Sequence, residues 1–232
     1  MRSLSVLIAV PPEAEAILAD PAFGWREEER DLYASGSYPL RLALSGVGKA
    51  YAAYAFSRVQ TGAEAVLSLG TSGGLSDEEV GSAWIVEEFA EHDMCVDSLG
   101  FPPGVTPFGP IADPIMRTGS PELRALMEAA CDRAGIARSR GRAIAGDEFV
   151  NDSERALRKM ALFGARLVDM ETAAIAKVAA SWTDIPFAAL RVVSDNANHD
   201  SHGDWAANVR IASVLLDRFL AALCAIAFSR GG

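Results

Sequence analysis

Carboxylates, glycines and one aromatic ring recur in this chain where apolar runs stop. Glu13 and Glu15 follow Ser5 to Val10, and Gly70-Thr71-Ser72-Gly73-Gly74 follows Ala65 to Leu69. Gly146-Asp147-Glu148-Phe149-Val150 follows Arg142 to Ala145, Met170-Glu171 follows Leu167-Val168-Asp169, and Ser194-Asp195 closes Pro186 to Val193. In open α/β sheets, ligands bind in the crevice beyond the carboxyl ends of the strands, so a carboxylate there is a candidate catalytic acid. Gly70 to Gly74 reads as a loop, and such a loop lets backbone N–H groups approach a ligand with no side chain in the way. Each stretch also has a bland account. Asp195 can simply start a turn, Glu13 and Glu15 can serve a helix dipole, and glycines can be required by tight turns. One such end decides nothing, whereas five on one edge of one sheet build a pocket of glycine backbone, an aromatic ring and several carboxylates.

The elements that must position these residues alternate along the chain. Apolar runs read as strands at Ser5 to Val10, Ala65 to Leu69, Ser82 to Phe89, Arg142 to Ala145 and Pro186 to Val193, with a strand pair at Arg30 to Ser35 and Pro39 to Ser45. Helical patterns run over Glu13 to Leu18, Ala50 to Gln60, Pro121 to Ala134, Glu154 to Leu162, Thr172 to Ser181 and about Trp205 to Ala227. Pro11-Pro12 closes the first strand. Gly46-Val47-Gly48-Lys49 lacks the remaining glycine spacing of a phosphate loop, and Lys49 reads as solvated. Met94 to Pro107 reads as a proline- and glycine-marked loop whose Val96, Leu99 and Phe101 need something to cover them.

Composition narrows the class. The 232 residues form one domain by default, with half of them hydrophobic and no long linker. Lys and Arg number 21 against 31 Asp and Glu, a net charge of −10 that disfavours nucleic acid and anionic membranes as partners. Cys95, Cys131 and Cys224 lie far apart and form neither a metal-type spacing nor a disulfide framework, which fits a reducing cytoplasm. Leu4 to Val10 is too short for an export signal, and Val214 to Phe228 is broken by Asp217 and Arg218, so no membrane segment is expected.

In order and spacing, Val10 to Glu15, Gly46 to Lys49, Leu69 to Leu75, His92-Asp93, Gly146 to Val150, Val168 to Ala174 and Val193 to Asp195 resemble the nucleoside phosphorylase and nucleosidase superfamily. The resemblance is strongest to its 5′-methylthioadenosine/S-adenosylhomocysteine nucleosidase branch. It implies one domain over 1–232, a three-layer α/β/α fold around a mixed, partly barrel-like sheet, a homodimer, and a purine nucleoside hydrolysed without metal or cofactor. Carried over residue by residue, Asp195 is the general acid at the purine's imidazole nitrogen, supported by Ser194. Glu171 holds the ribose hydroxyls, Met170 packs on the sugar, and Glu15 orients the attacking water. Phe149 stacks on the base and the backbone of Val150 reads its edge, while Thr71 and Gly73 line the ribose and water side. Trp205 resembles part of the thioalkyl pocket, together with Val96, Leu99 and Phe101 from the neighbouring subunit; core packing is the other reading of Trp205.

Breaking an N-ribosidic bond develops positive charge on the sugar and negative charge on the leaving base, as in glycoside hydrolysis. It therefore wants an acid at the base and carboxylates around the sugar. A phosphate nucleophile would instead need a cationic cradle. The superfamily's phosphorylases carry an arginine two residues before the glycine segment, where this chain has Ser68, so hydrolysis is expected. Futalosine hydrolase is the first alternative. Behind it stand a phosphate-dependent phosphorylase and an idle nucleoside-binding protein, which has no chemical need for Glu15, Glu171 and Asp195 together.

Overall fold

The strands join in one mixed ten-stranded sheet in the computed structural model, which describes residues 1–229. β1 (Leu4–Ile8) lies between β4 (Leu40–Leu44) and β5 (Ala65–Gly74), parallel to both. β3 (Leu32–Ser35) and β2 (Trp25–Glu29) continue that side as antiparallel strands. On the other side β5, β9 (Leu167–Asp169), β8 (Arg138–Ala145), β6 (Ala83–Glu91) and β10 (Phe187–Asp195) close into a five-stranded ring, because β10 pairs with both β6 and β5. β7 (Met116–Arg117) adds two residues to β6. Ring closure makes the sheet partly a barrel, as the resemblance implied.

Neighbouring strand residues face opposite sides, and both sides are apolar. Val6, Leu67 and Leu190 pack with Ile17 of α1 (Pro11–Ala19), Met127 of α3 (Pro121–Ala134) and Phe219 of α6 (Ser201–Ala227). Leu7, Val66 and Ala189, each one residue away, pack with Phe56 of α2 (Lys49–Val59) and Ile175 of α5 (Thr172–Trp182). A third cluster joins Ile144 and Val168 to Ala156 and Phe163 of α4 (Ser153–Phe163). Helices thus cover both faces, giving the expected three layers.

The differences from the sequence reading bear on the site. Gly70 to Gly74 is not a loop; it is the second half of a fully buried β5. Its glycines serve close approach. A Cβ on Gly73 would stand 3.1 Å from Asp195 Oδ1 and 3.2 Å from Val168 Cγ1, so the ring could not close around a larger residue without displacement. β10 likewise runs on through Asp195, with a register shift between Val193 and Asp195 that leaves Asp195 opposite Gly73. α1 begins at Pro11, since two prolines in a first turn forgo only N–H groups that have no partner within the helix. β2 escaped the sequence reading because its exposed Arg-Glu-Glu-Glu run shows no alternation. Among the described residues, no helix is long and apolar enough to cross a membrane.

Candidate active site

A cavity of about 300 Å³ opens where β1, β9 and β10 end, beside the second half of β5 and the first turns of α1 and α6. All five chemistry-bearing stretches contribute to its lining, the first through Glu13 and not through Glu15.

Glu13 stands in the first turn of α1 and is only 4% exposed. Its Oε1 accepts from the Thr71 backbone N–H and from Thr71 Oγ1, both at 2.7 Å, and its Oε2 accepts more weakly from the Val10 N–H at 3.4 Å. Gly70 makes room for it, as a Cβ there would lie 3.0 Å from Glu13 Oε1. Burial pushes the Glu13 carboxyl above the usual range, while the Thr71 N–H and the charge of Arg191 oppose that rise. Glu15 points away. It lies outside the cavity, 61% exposed, 3.7 Å from the Arg210 guanidinium, so the expectation that Glu15 lines the site is corrected: Glu13 is the carboxylate of this turn that faces the cavity. Residues two apart on a helix differ by about 200° in direction, which puts one carboxylate inside and the other in solvent.

Glu171 occupies the N-cap position of α5, yet its side chain does not cap the helix. Its Oε1 turns instead to the Gly48 N–H at 2.9 Å. Burial first, then the nearby carboxylate of Asp169, pushes its carboxyl up to about 8, with the charge of Glu13 adding to the rise. Asp169 holds the start of the helix, with Oδ1 accepting from the N–H groups of Glu171 and Thr172, both at 3.0 Å. Its Oδ2 accepts from Arg191 Nε at 2.8 Å. Arg191, 2% exposed, donates onward to Ser68 Oγ at 2.8 Å and is not part of the lining.

Asp195, 3% exposed, accepts from Ser194 Oγ at 2.9 Å on Oδ2 and from the Ala197 N–H at 2.9 Å on Oδ1. Asn208 of α6 fixes this turn by donating to the Ser194 carbonyl at 2.9 Å. Ala197 adopts a left-handed φ of 49°, uncommon for a residue with a side chain, and this lets its N–H fold back onto Asp195. Ser194 thus stands beside Asp195 as expected.

Thr71, Gly73, Phe149, Val150, Met170, Ser194 and Trp205 all line the cavity. Phe149 remains 44% exposed, leaving a ring face open at the mouth. Trp205 donates from Nε1 to Thr71 Oγ1 at 3.1 Å, tying α6 to the threonine that holds Glu13. Val96, Leu99 and Phe101 lie outside this chain's own cavity, Leu99 being 65% exposed and Phe101 packed edge-on against Phe108 at 5.8 Å. Lys49 is not solvated but pairs with Asp93 at 2.8 Å and Glu91 at 3.5 Å. The sequence reading gave no role to Asp169, Glu148 or His202, which also line the cavity. For Glu13 a signal existed: it shares a helical face with Ile17, four residues on, and α1 buries both.

Comparison with known proteins gives the family. The sequence pattern of the phosphorylase superfamily matches residues 4–226. A 5′-methylthioadenosine/S-adenosylhomocysteine nucleosidase of Baumannia cicadellinicola is 30% identical over 191 residues, 80% of this chain and 81% of that protein. Among solved structures, the nucleosidase of that name from Neisseria meningitidis, in complex with methylthio-immucillin-A, superposes with a TM-score of 0.85 at 27% identity, over 96% of this chain and 98% of its own. A futalosine hydrolase mutant of Helicobacter pylori superposes with a TM-score of 0.86 at 23% identity, over 96% and 98%. Carboxylates gathered over the end of a closed, glycine-bearing sheet and a family pattern spanning nearly the whole length agree: the chain belongs to the phosphorylase superfamily, among its 5′-methylthioadenosine/S-adenosylhomocysteine nucleosidases.

Proposed function

We propose that this chain hydrolyses the N-ribosidic bond of 5′-methylthioadenosine and S-adenosylhomocysteine, releasing adenine and the thioribose. One observation carries the reading. Glu13, Glu171 and Asp195 share a cavity in which, among the described residues, His202 is the one lining side chain able to carry positive charge. Three carboxylates suit a reaction whose sugar turns cationic and whose base needs a proton. None of them supplies the cationic cradle that a phosphate nucleophile needs, and Arg191, buried outside the lining, is already engaged by Asp169 and Ser68.

In this reading Asp195, steadied by Ser194, delivers a proton to the imidazole nitrogen of the purine as the bond to the sugar lengthens. Phe149 stacks on the base and the Val150 backbone reads its edge. Glu171 accepts from the ribose hydroxyls and Met170 packs on the sugar. Glu13, held by Thr71, orients the water and takes a proton from it as it attacks the anomeric carbon. Trp205 closes the sugar side.

The active unit is a homodimer in this proposal, because Leu99 and Phe108, 65% and 96% exposed, leave apolar surface that a second copy would cover. Three unpaired cysteines support a cytoplasmic location.

Base release from methylthioadenosine, adenosylhomocysteine and futalosine, measured without phosphate, tests the function. The first two should be cleaved, and Asp195→Asn should lose ~10²–10⁴-fold in rate. A strong preference for futalosine would replace the substrate; turnover only with added phosphate would overturn hydrolysis.

A further inference from the structure

We propose that Asp169 is a positioning residue for this hydrolysis, binding the backbone of Glu171 and the side chain of Arg191 to one carboxylate so that the ribose-side carboxyl is correctly aimed and charged. The inference rests on the reading of Glu171 as the ribose-side group.

Three observations support it. First, Asp169 ends β9 on the cavity wall, 8% exposed, where a carboxylate without bonds would be costly; it accepts from Glu171 N, Thr172 N, Thr172 Oγ1 and Arg191 Nε. Second, it accepts from the N–H groups of Glu171 and Thr172, the N-cap and first residues of α5, so the backbone that carries the Glu171 side chain is fixed from the cavity wall. The Glu171 carboxyl makes no capping bond and reaches the cavity and Gly48 from that fixed backbone. Third, charged neighbours pull Glu171 in opposite directions. Asp169 and Glu13 favour its protonated form and Arg191 favours its ionised form, with the Gly48 N–H on the same side as Arg191. Because Asp169 also pairs with Arg191, one side chain acts on Glu171 directly and through its cationic neighbour.

The consequence is specific. The pH dependence of kcat/KM reports groups of the free enzyme, so the wild type should show an acid limb, as Glu171 ionises, in the region of about 8. Asp169→Asn removes one negative neighbour and loosens Arg191. The limb should move down by about one pH unit, and the plateau kcat should fall at least about tenfold with KM within about threefold, the pattern of a lost transition-state interaction. A limb that stays in place, or a kcat within about twofold of wild type, would overturn the assignment. If Asp169→Asn does not fold, Asp169→Glu is read instead. Keeping the charge but displacing it should retain the limb and still cost at least about tenfold in kcat; an unchanged kcat or a lost limb would count against the proposal. Glu171→Gln separates the two readings. If that variant is fully active, the ribose-side role of Glu171 fails; if it is inactive while Asp169→Asn leaves the limb unmoved, only Asp169 is wrongly assigned.

Discussion

Two glutamates in one helical turn have opposite fates, and the reason is geometric. Glu13 lies on the face of α1 that carries Ala14 and Ile17 into the core, while Glu15 faces solvent beside Arg210. The pair separates the two assignments cleanly in solution. Glu13→Gln should lower kcat/KM by at least about 10²-fold, since it loses the charge that orients water, whereas Glu15→Gln should stay within about twofold. Equal losses in the two variants would contradict the placement. Glu13 also shows what a sequence hides at this scale. Its type and its place at a strand end were legible, but which of two neighbours turns inward depends on what the helix packs against.

At the scale of elements, the site depends on how closely β5 approaches its neighbours. Gly70 lies against the Glu13 carboxylate, with a virtual Cβ 3.0 Å from Oε1 and 3.3 Å from Cδ. Gly70→Ala should therefore displace Glu13 from Thr71, lowering kcat/KM at least about tenfold, with a stability loss of about 1–3 kcal/mol from overpacking. Activity retained in that variant, measured beside its thermal midpoint, would show that α1 can shift freely. The alternation of strands and helices was readable from hydrophobic periodicity, because burial on two faces leaves near-continuous apolar runs in β1, β5 and β10. The glycine segment was misread as a loop because glycine marks turns and close packing alike. Only the pairing of Gly73 with both Asp195 and Val168 shows which applies.

For the whole molecule, the buried carboxyls couple stability to pH. An acid whose pKa rises on folding favours the folded state while protonated. For Glu171 that contribution is complete below its ordinary value of 4.5 and is lost as pH rises towards about 8. The ligand-free protein should lose stability over this window. Glu171→Gln, always neutral, should gain in stability on the wild type as pH rises from 5 to 8, read as a widening difference in Tm. Parallel pH profiles for the two proteins would contradict the raised pKa. Sedimentation at micromolar concentration should give a dimer, and a fully active monomer would remove the need for a second copy over Leu99 and Phe108. The sequence by itself determined the class of the fold, the strand ends that carry chemistry, and the choice of carboxylates over cations, because these follow from local periodicity, residue type and charge. The tertiary structure alone decided that the sheet closes into a ring, that Glu13 enters the cavity, and that Asp169 joins Glu171 to Arg191. Those facts depend on contacts between segments far apart in the chain, whose distances no local pattern encodes.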